Sequence, residues 1–129
     1  MPIANLQETL LNYTKRLSAL NLNLSQNIMN TVSATRAYAT EQQKYNEKLE
    51  DYRALYELAD PDGFEELEAM LEHEHDLSMK RLESWESTLQ AEKDQIELEI
   101  SQITANKNNF EKLLGNNIKK DFSYGGTAK

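Results

Sequence analysis

The stretch Asp60-Pro61-Asp62-Gly63 separates two long segments that are rich in helix-forming residues. Asp60 before Pro61 is typical of a helix start, with the aspartate as N-cap and the proline as first helical residue. In an alternative reading Asp62 is the N-cap and Glu65, three residues later, completes a capping box. A continuous helix with a proline kink is a third reading, which Gly63 disfavours. We therefore predict a turn over residues 60–63, after which a new helix begins.

The segments on either side of this turn, residues 3–59 and 64–122, are nearly equal in length. They predict an all-α fold: a long antiparallel helical hairpin, or two-helix coiled coil, that forms a single domain over residues 1–122. Gly115, followed by two asparagines, is a candidate end of the second arm near residue 114, with a short C-terminal helix after it. We expect a flexible tail over residues 123–129.

Apolar residues recur along the first arm at alternating steps of three and four, which is the pattern of a helix that packs along one stripe. One lane is Ile3, Leu10, Leu17, Leu24, Thr31, Tyr38, Tyr45, Tyr52 and Ala59, and a second is Leu6, Tyr13 and Leu20. The second lane fails at Asn27, and apolar residues shift by one position to Ile28, Leu49 and Tyr56. Residues 21–35 are also rich in Asn, Ser and Thr, which are mediocre in helix interiors. This leaves open a kink, a break between two helices, or a stretch ordered only by a partner.

The second arm repeats the pattern. Its main lane is His75, Leu82, Leu89, Ile96, Ile103 and Phe110, and its flanking apolar positions are Leu71, Met79, Trp85, Ile100, Leu113 and Leu114. If the arms fold back about residues 61–62, contacting residues have numbers that sum to about 123. Tyr13 then lies near Phe110, whereas Leu24 lies opposite Glu99. We expect a polar middle in the paired arms.

Composition and charge exclude several functional classes. The net charge is −8, and residues 41–76 hold thirteen acidic against three basic side chains, so nucleic-acid binding is disfavoured. The chain has no cysteine, no apolar run long enough to cross a bilayer, and no cleavable signal peptide at its start. We expect no membrane insertion, and a cytoplasmic location or export without a cleaved signal peptide.

Glu72 and His75 raise the question of a metal site. Their spacing places both on one helix face, as in di-iron carboxylate bundles. The chain has only two histidines, so one copy cannot supply the second such motif, and a metal-binding helical bundle is kept as an alternative. No nucleophile–base set or phosphate-binding loop is present. We therefore predict a non-enzyme without a cofactor, in which His75 lies in the stripe and His73 faces solvent.

The segment Asn21-Leu22-Asn23-Leu24-Ser25-Gln26 resembles the N-terminal helix of flagellins. With the polar termini, it makes the chain similar to the small helical subunits and chaperones of flagellar and type III export systems. That resemblance implies paired terminal helices and assembly through them. Thr31-Val32-Ser33-Ala34-Thr35 stands where flagellins carry Ser-Ser-Gly, so no site residues are carried over.

A helical protein–protein interaction module follows from these patterns, most simply an assembly subunit or scaffold. A hydrophobic content of 39% leaves a thin core, so a protein partner or self-association is expected to cover apolar edges. The alternative is a cytosolic chaperone or adaptor that holds a client through its acidic tip. Candidate interaction residues are Tyr38, Tyr45, Tyr52, Leu82, Trp85, Leu89, Glu65, Glu66 and Glu68.

Overall fold

The computed structural model describes the backbone of residues 3–127 and the side chains of residues 3–121. Two helices account for almost all of it: α1, Ile3–Tyr56, and α2, Pro61–Thr127. No strand occurs within residues 3–127. The predicted all-α helical hairpin is thereby confirmed.

The connection between the helices, residues 57–60, has the predicted length of four residues but lies earlier than predicted, because α1 ends at Tyr56 and α2 already begins at Pro61. Asp60 is the N-cap: its carboxylate Oδ1 accepts a hydrogen bond from the backbone N–H of Gly63 at 3.1 Å. Its carbonyl accepts the first intrahelical bond, from Phe64 N–H at 2.9 Å. Proline fits directly after the cap because the first helical residue needs no N–H donor. The alternatives of an Asp62 cap and of a kinked continuous helix are not observed.

Glycine at position 63 leaves room for the capping side chain of Asp60, and it does not adopt an unusual backbone angle. It has negative φ. A Cβ atom at this position would lie against the Asp60 carboxyl group, 2.7 Å from its Cγ. The side chain that caps α2 therefore occupies the volume that any larger residue at position 63 would need.

The stretch over residues 21–35 is helical throughout, so of the alternatives left open by the sequence a break between two helices does not occur. Its hydroxyl side chains bond back to carbonyls one turn earlier: Thr31 to Asn27, Ser33 to Met29 and Thr35 to Thr31, at 2.9–3.1 Å. Because each hydroxyl has a partner within the helix, these side chains do not draw the backbone into non-helical hydrogen bonds.

The second lane keeps its phase at Asn27, contrary to the predicted shift to Ile28, whereas further along the shift is confirmed: Leu49 is half-buried and Lys48 is exposed. Asn27 is buried, at 3% exposure, whereas Ile28 is 49% exposed. The Asn27 side-chain amide donates a hydrogen bond from Nδ2 to the carbonyl of Leu89 at 2.9 Å. A polar residue can therefore occupy the stripe because the facing helix offers an acceptor.

α2 runs through Gly115 without interruption, so the predicted early end and separate C-terminal helix are wrong. The Gly115 Cα has open space around it, and no left-handed cap forms there. In the predicted tail over residues 123–129, the backbone of residues 123–127 continues α2, whereas residues 128–129 and the side chains of the tail lie outside the described part of the chain. Its flexibility stays a prediction.

The chain divides into two compact units, which we describe separately. Unit 1 is Met1–Gln26 with Glu92–Lys129, and it pairs the start of α1 with the end of α2. Leu6 and Leu20 are the buried side chains among its described residues, at 0% and 2% exposure. The Tyr13 and Phe110 rings meet edge to face, with centroids 5.6 Å apart, as the predicted offset requires. The Glu99 carboxylate pairs with Arg16 at 2.7 Å, and its predicted position opposite Leu24 stays a prediction.

Unit 2, Asn27–Ala91, contains the turn and the two helix segments that flank it. Its buried apolar side chains come from both segments: Ala34, Phe64, Leu71 and Leu89. Burial of a leucine-sized side chain contributes about 1.5–3 kcal/mol. These buried side chains are spread along the packed stripe, since Phe64 and Leu89 are about 37 Å apart on one continuous helix at 1.5 Å per residue, and the buried Asn27 lies at the Leu89 end.

The stripe of α2 follows periodicity more strictly than residue type. The main lane from His75 to Phe110 is buried or half-buried, as predicted. Trp85 and Leu113, by contrast, are 39% and 41% exposed, while their neighbours Glu86 and Leu114 are half-buried. Helix phase therefore decides which of two adjacent residues turns inward.

Within residues 3–127, neither helix contains a segment that is both long and apolar enough to cross a membrane.

Candidate functional site

The aromatic and aliphatic residues predicted for interaction mostly pack inside unit 2. Tyr38, Tyr45, Tyr52 and Leu82 are half-buried, and Leu89 is 3% exposed. The tyrosines of α1 follow one another at intervals of seven, so they share the face that packs on α2. A partner could reach only the edges of these side chains.

Trp85 differs from these residues because it lies beside the stripe. It is 39% exposed and is the only tryptophan in the sequence. Among the aromatic candidates it therefore offers the largest share of its side chain to a partner, and tryptophan is enriched at interface hot spots.

The predicted acidic residues lie in the first two turns of α2. Glu65 and Glu66 are exposed, and Glu68 is half-buried. None of the three forms an ion pair within the part of the chain whose side chains are described. Carboxylates near a helix N-terminus are favoured by the helix dipole, so part of this charge also supports α2.

A cluster of Tyr45, His75 and Glu41 occupies the inner side of unit 2. The Tyr45 and His75 rings stack with centroids 4.2 Å apart and an interplanar angle of 15°. His75 Nδ1 lies 3.5 Å from Glu41 Oε1, but the two atoms are not aligned for a hydrogen bond, and Nδ1 is buried without another partner among the described residues. The arrangement packs the imidazole as a flat, half-polar core side chain.

The structure does not assemble a metal site around Glu72 and His75. Glu72 is exposed, whereas His75 turns inward against Tyr45. His73 is exposed, as predicted. Within the described residues there is no group of three or more His, Asp or Glu side chains that could hold a metal ion.

Two exposed apolar surfaces in unit 2 were missed by the sequence reasoning. The first, which we name the α1 face, consists of Ile28, Met29 and Val32, which are 49%, 63% and 45% exposed. These residues lie within one turn of each other on α1. A signal was present: no charged residue occurs between Leu17 and Thr35.

The second surface, the tip patch, consists of Leu55, Tyr56 and Leu58, which are 65%, 40% and 98% exposed. The backbone around Leu58 is held in place, because Glu57 N–H bonds to the Arg53 carbonyl at 3.1 Å and Asp60 N–H bonds to the Tyr56 carbonyl at 2.8 Å. Its exposure is therefore a feature of an ordered turn.

Comparison with known proteins gives no relative from which a function could be transferred. No family model matches the chain, and neither the curated proteins nor the solved structures contain a match to it.

Proposed function

We propose that the chain is a non-enzymatic helical interaction module that serves as an assembly subunit or scaffold and self-associates through the α1 face. The observation that carries this proposal is the exposure of Ile28, Met29 and Val32, at 49%, 63% and 45%, on a helix segment without charge. Depletion of charged residues is the compositional mark of the centre of an interface.

The polar residues around the α1 face make it easier to desolvate. The hydroxyls of Thr31, Ser33 and Thr35 already bond to carbonyls of their own helix. Covering them removes little hydrogen bonding to water, and an unsatisfied buried hydroxyl is the main cost of such burial. A second copy can therefore pack on this face without supplying matching polar groups.

Sedimentation velocity over a range of concentrations tests this function. We expect the wild-type chain to shift from monomer to oligomer as concentration rises, and Met29→Glu to remain monomeric because it places a charge in the centre of the face. Leu98→Glu is the matched control, since Leu98 is 52% exposed and lies in unit 1. A wild-type chain that stays monomeric, or two variants that dissociate equally, would contradict self-association through this face.

A second candidate function is that of a chaperone or adaptor that holds a basic client at its acidic tip. The observation that favours it is the concentration of charge: thirteen acidic against three basic residues between Glu41 and Asp76. Such a surface raises the encounter rate of a positively charged partner. Both functions are compatible with the subunits and chaperones of export systems that the sequence resembles.

The adaptor function is tested by a pull-down of clients with the combined variant Glu65→Gln, Glu66→Gln, Glu68→Gln and Glu72→Gln. We expect client recovery to fall strongly. The matched control neutralises four exposed glutamates outside residues 41–76: Glu83, Glu92, Glu97 and Glu111. Equal recovery with the tip variant and the wild type would refute the adaptor function.

A further inference from the structure

We propose that the tip patch binds a basic amphipathic helix of a partner protein, with Leu55 and Leu58 as apolar anchors and the surrounding acids as the rim. This inference rests on the adaptor function proposed above and specifies where the client binds and what chemistry it carries. It starts from Leu58, which at 98% exposure is the most exposed of the large apolar side chains described in the structure.

The tip patch is shaped for an apolar contact. Its three residues lie within one stretch of four, Leu55 to Leu58, and Leu55 and Leu58 are three positions apart. Tyr56 extends the surface toward Tyr52, whose ring centroid lies 6.2 Å from its own. The two backbone hydrogen bonds that hold residues 57 and 60 mean that little ordering is required when a partner binds.

The charge around the patch selects the class of partner. The acids nearest in sequence are Asp51, Glu57, Asp60 and Asp62. One basic residue, Arg53, lies among them, and its guanidinium is 3.9 Å from the Glu57 carboxylate, with both side chains about half exposed. The rim is therefore strongly negative, and lysine or arginine beside the apolar side chains of a ligand would complement it.

The same charge argues against two other occupants. A second copy of this chain would bring another acidic tip against the first, and like charges at an interface are unfavourable. A membrane surface rich in anionic lipids would be repelled in the same way. An amphipathic helix with basic flanks satisfies both the apolar patch and its rim, because it presents its own apolar side chains at intervals of three and four along one face.

The test uses the full chain and a defined probe: a fluorescein-labelled peptide of about 18 residues, or five helical turns, with leucine on one face and lysine on the other. Binding is followed by fluorescence anisotropy. A second peptide keeps the leucines and replaces every lysine by glutamate. We expect saturable binding of the lysine peptide and none of the glutamate peptide.

The deciding variant is Leu55→Ser with Leu58→Ser, which leaves the charge unchanged and alters only exposed side chains, so helicity measured by circular dichroism should be unaffected. We expect its Kd for the lysine peptide to rise at least about tenfold, since losing two buried leucine contacts exceeds one decade of affinity. The matched control is Leu98→Ser with Leu113→Ser, two exposed leucines of unit 1, which should leave the Kd within about twofold.

Two results would overturn the proposal, and they differ in meaning. If the lysine peptide binds the Leu55/Leu58 variant as tightly as the wild type, the apolar anchor is wrong while an electrostatic adaptor function stands. If the peptide does not bind the wild-type chain at all, both fail. Equal weakening by the control variant would also refute a specific role for the tip patch.

Discussion

Asn27 is the position where a single substitution most directly tests the packing described above. Its side chain is 3% exposed, its amide donates to the Leu89 carbonyl at 2.9 Å, and its Oδ1 is buried without a partner among the described residues. An unsatisfied buried acceptor costs about 1–3 kcal/mol, and the hydrogen bond returns only about 0.5–1.5 kcal/mol. The buried amide is therefore close to neutral or unfavourable for the stability of unit 2.

We expect Asn27→Leu to raise the free energy of unfolding by about 1 kcal/mol. Burial of the leucine contributes about 1.5–3 kcal/mol. Loss of the hydrogen bond and the extra volume in the stripe oppose this gain, since overpacking costs about 1–3 kcal/mol. Removal of the unpaired Oδ1 adds a further gain, so the net free energy of unfolding is higher for the variant.

Urea unfolding, followed by far-ultraviolet circular dichroism, measures this change as a shift of the midpoint at constant m-value. The reverse substitution is the control: Leu20→Asn puts an amide seven residues earlier in the same lane and should lower stability by about 2–4 kcal/mol. A polar residue in such a stripe can also fix register and oligomeric state. If Asn27→Leu destabilises the chain by more than about 1 kcal/mol, the amide is a net stabilising contact and the reasoning is wrong.

Three further predictions concern the helices. Gly115→Ala should raise the free energy of unfolding by about 0.5–1 kcal/mol, because the new Cβ meets open space. Gly63→Ala should give no such gain, because the new Cβ displaces the Asp60 carboxylate that caps α2. Thermal unfolding of the two variants checks both expectations. Arg16→Ala should lower the free energy of unfolding by less than about 1 kcal/mol, because the Arg16 and Glu99 side chains are 52% and 34% exposed. In 1 M salt the loss should be smaller still, and unfolding at two salt concentrations checks this. Phe110→Leu removes the edge-to-face contact with Tyr13 and should cost about 0.5–1.5 kcal/mol in urea unfolding, so an unchanged midpoint would show that the ring contact contributes nothing.

The turn and the lanes were predictable because their causes are local. Asp60 before Pro61 specifies a helix start through the cap and the missing N–H alone. The main lanes follow from periodicity, which needs no knowledge of the partner helix. These features therefore appear in the structure at or near the predicted positions.

The errors arose where a residue's environment depends on the facing helix or on helix phase. Asn27 was read as a failure of the lane because its acceptor, the Leu89 carbonyl, lies 62 positions away in sequence. Trp85 was assigned to the stripe by residue type, but phase turns Glu86 inward instead. Leu58 belongs to no lane, and Leu55 is 65% exposed although it is in phase with the second lane, so only their exposure in the folded chain identifies them as a candidate site.

The four-residue connection at Glu57 to Asp60 also has a consequence for the order of folding. Tyr45 and His75 are thirty positions apart, whereas Tyr13 and Phe110 are ninety-seven apart. Contacts between nearby positions require less loop-closure entropy, and local contacts generally form sooner. Contacts between the helices can thus form first beside the turn and later at greater sequence separation. A nascent polypeptide would need only the residues up to Ala91 before unit 2 could begin to fold.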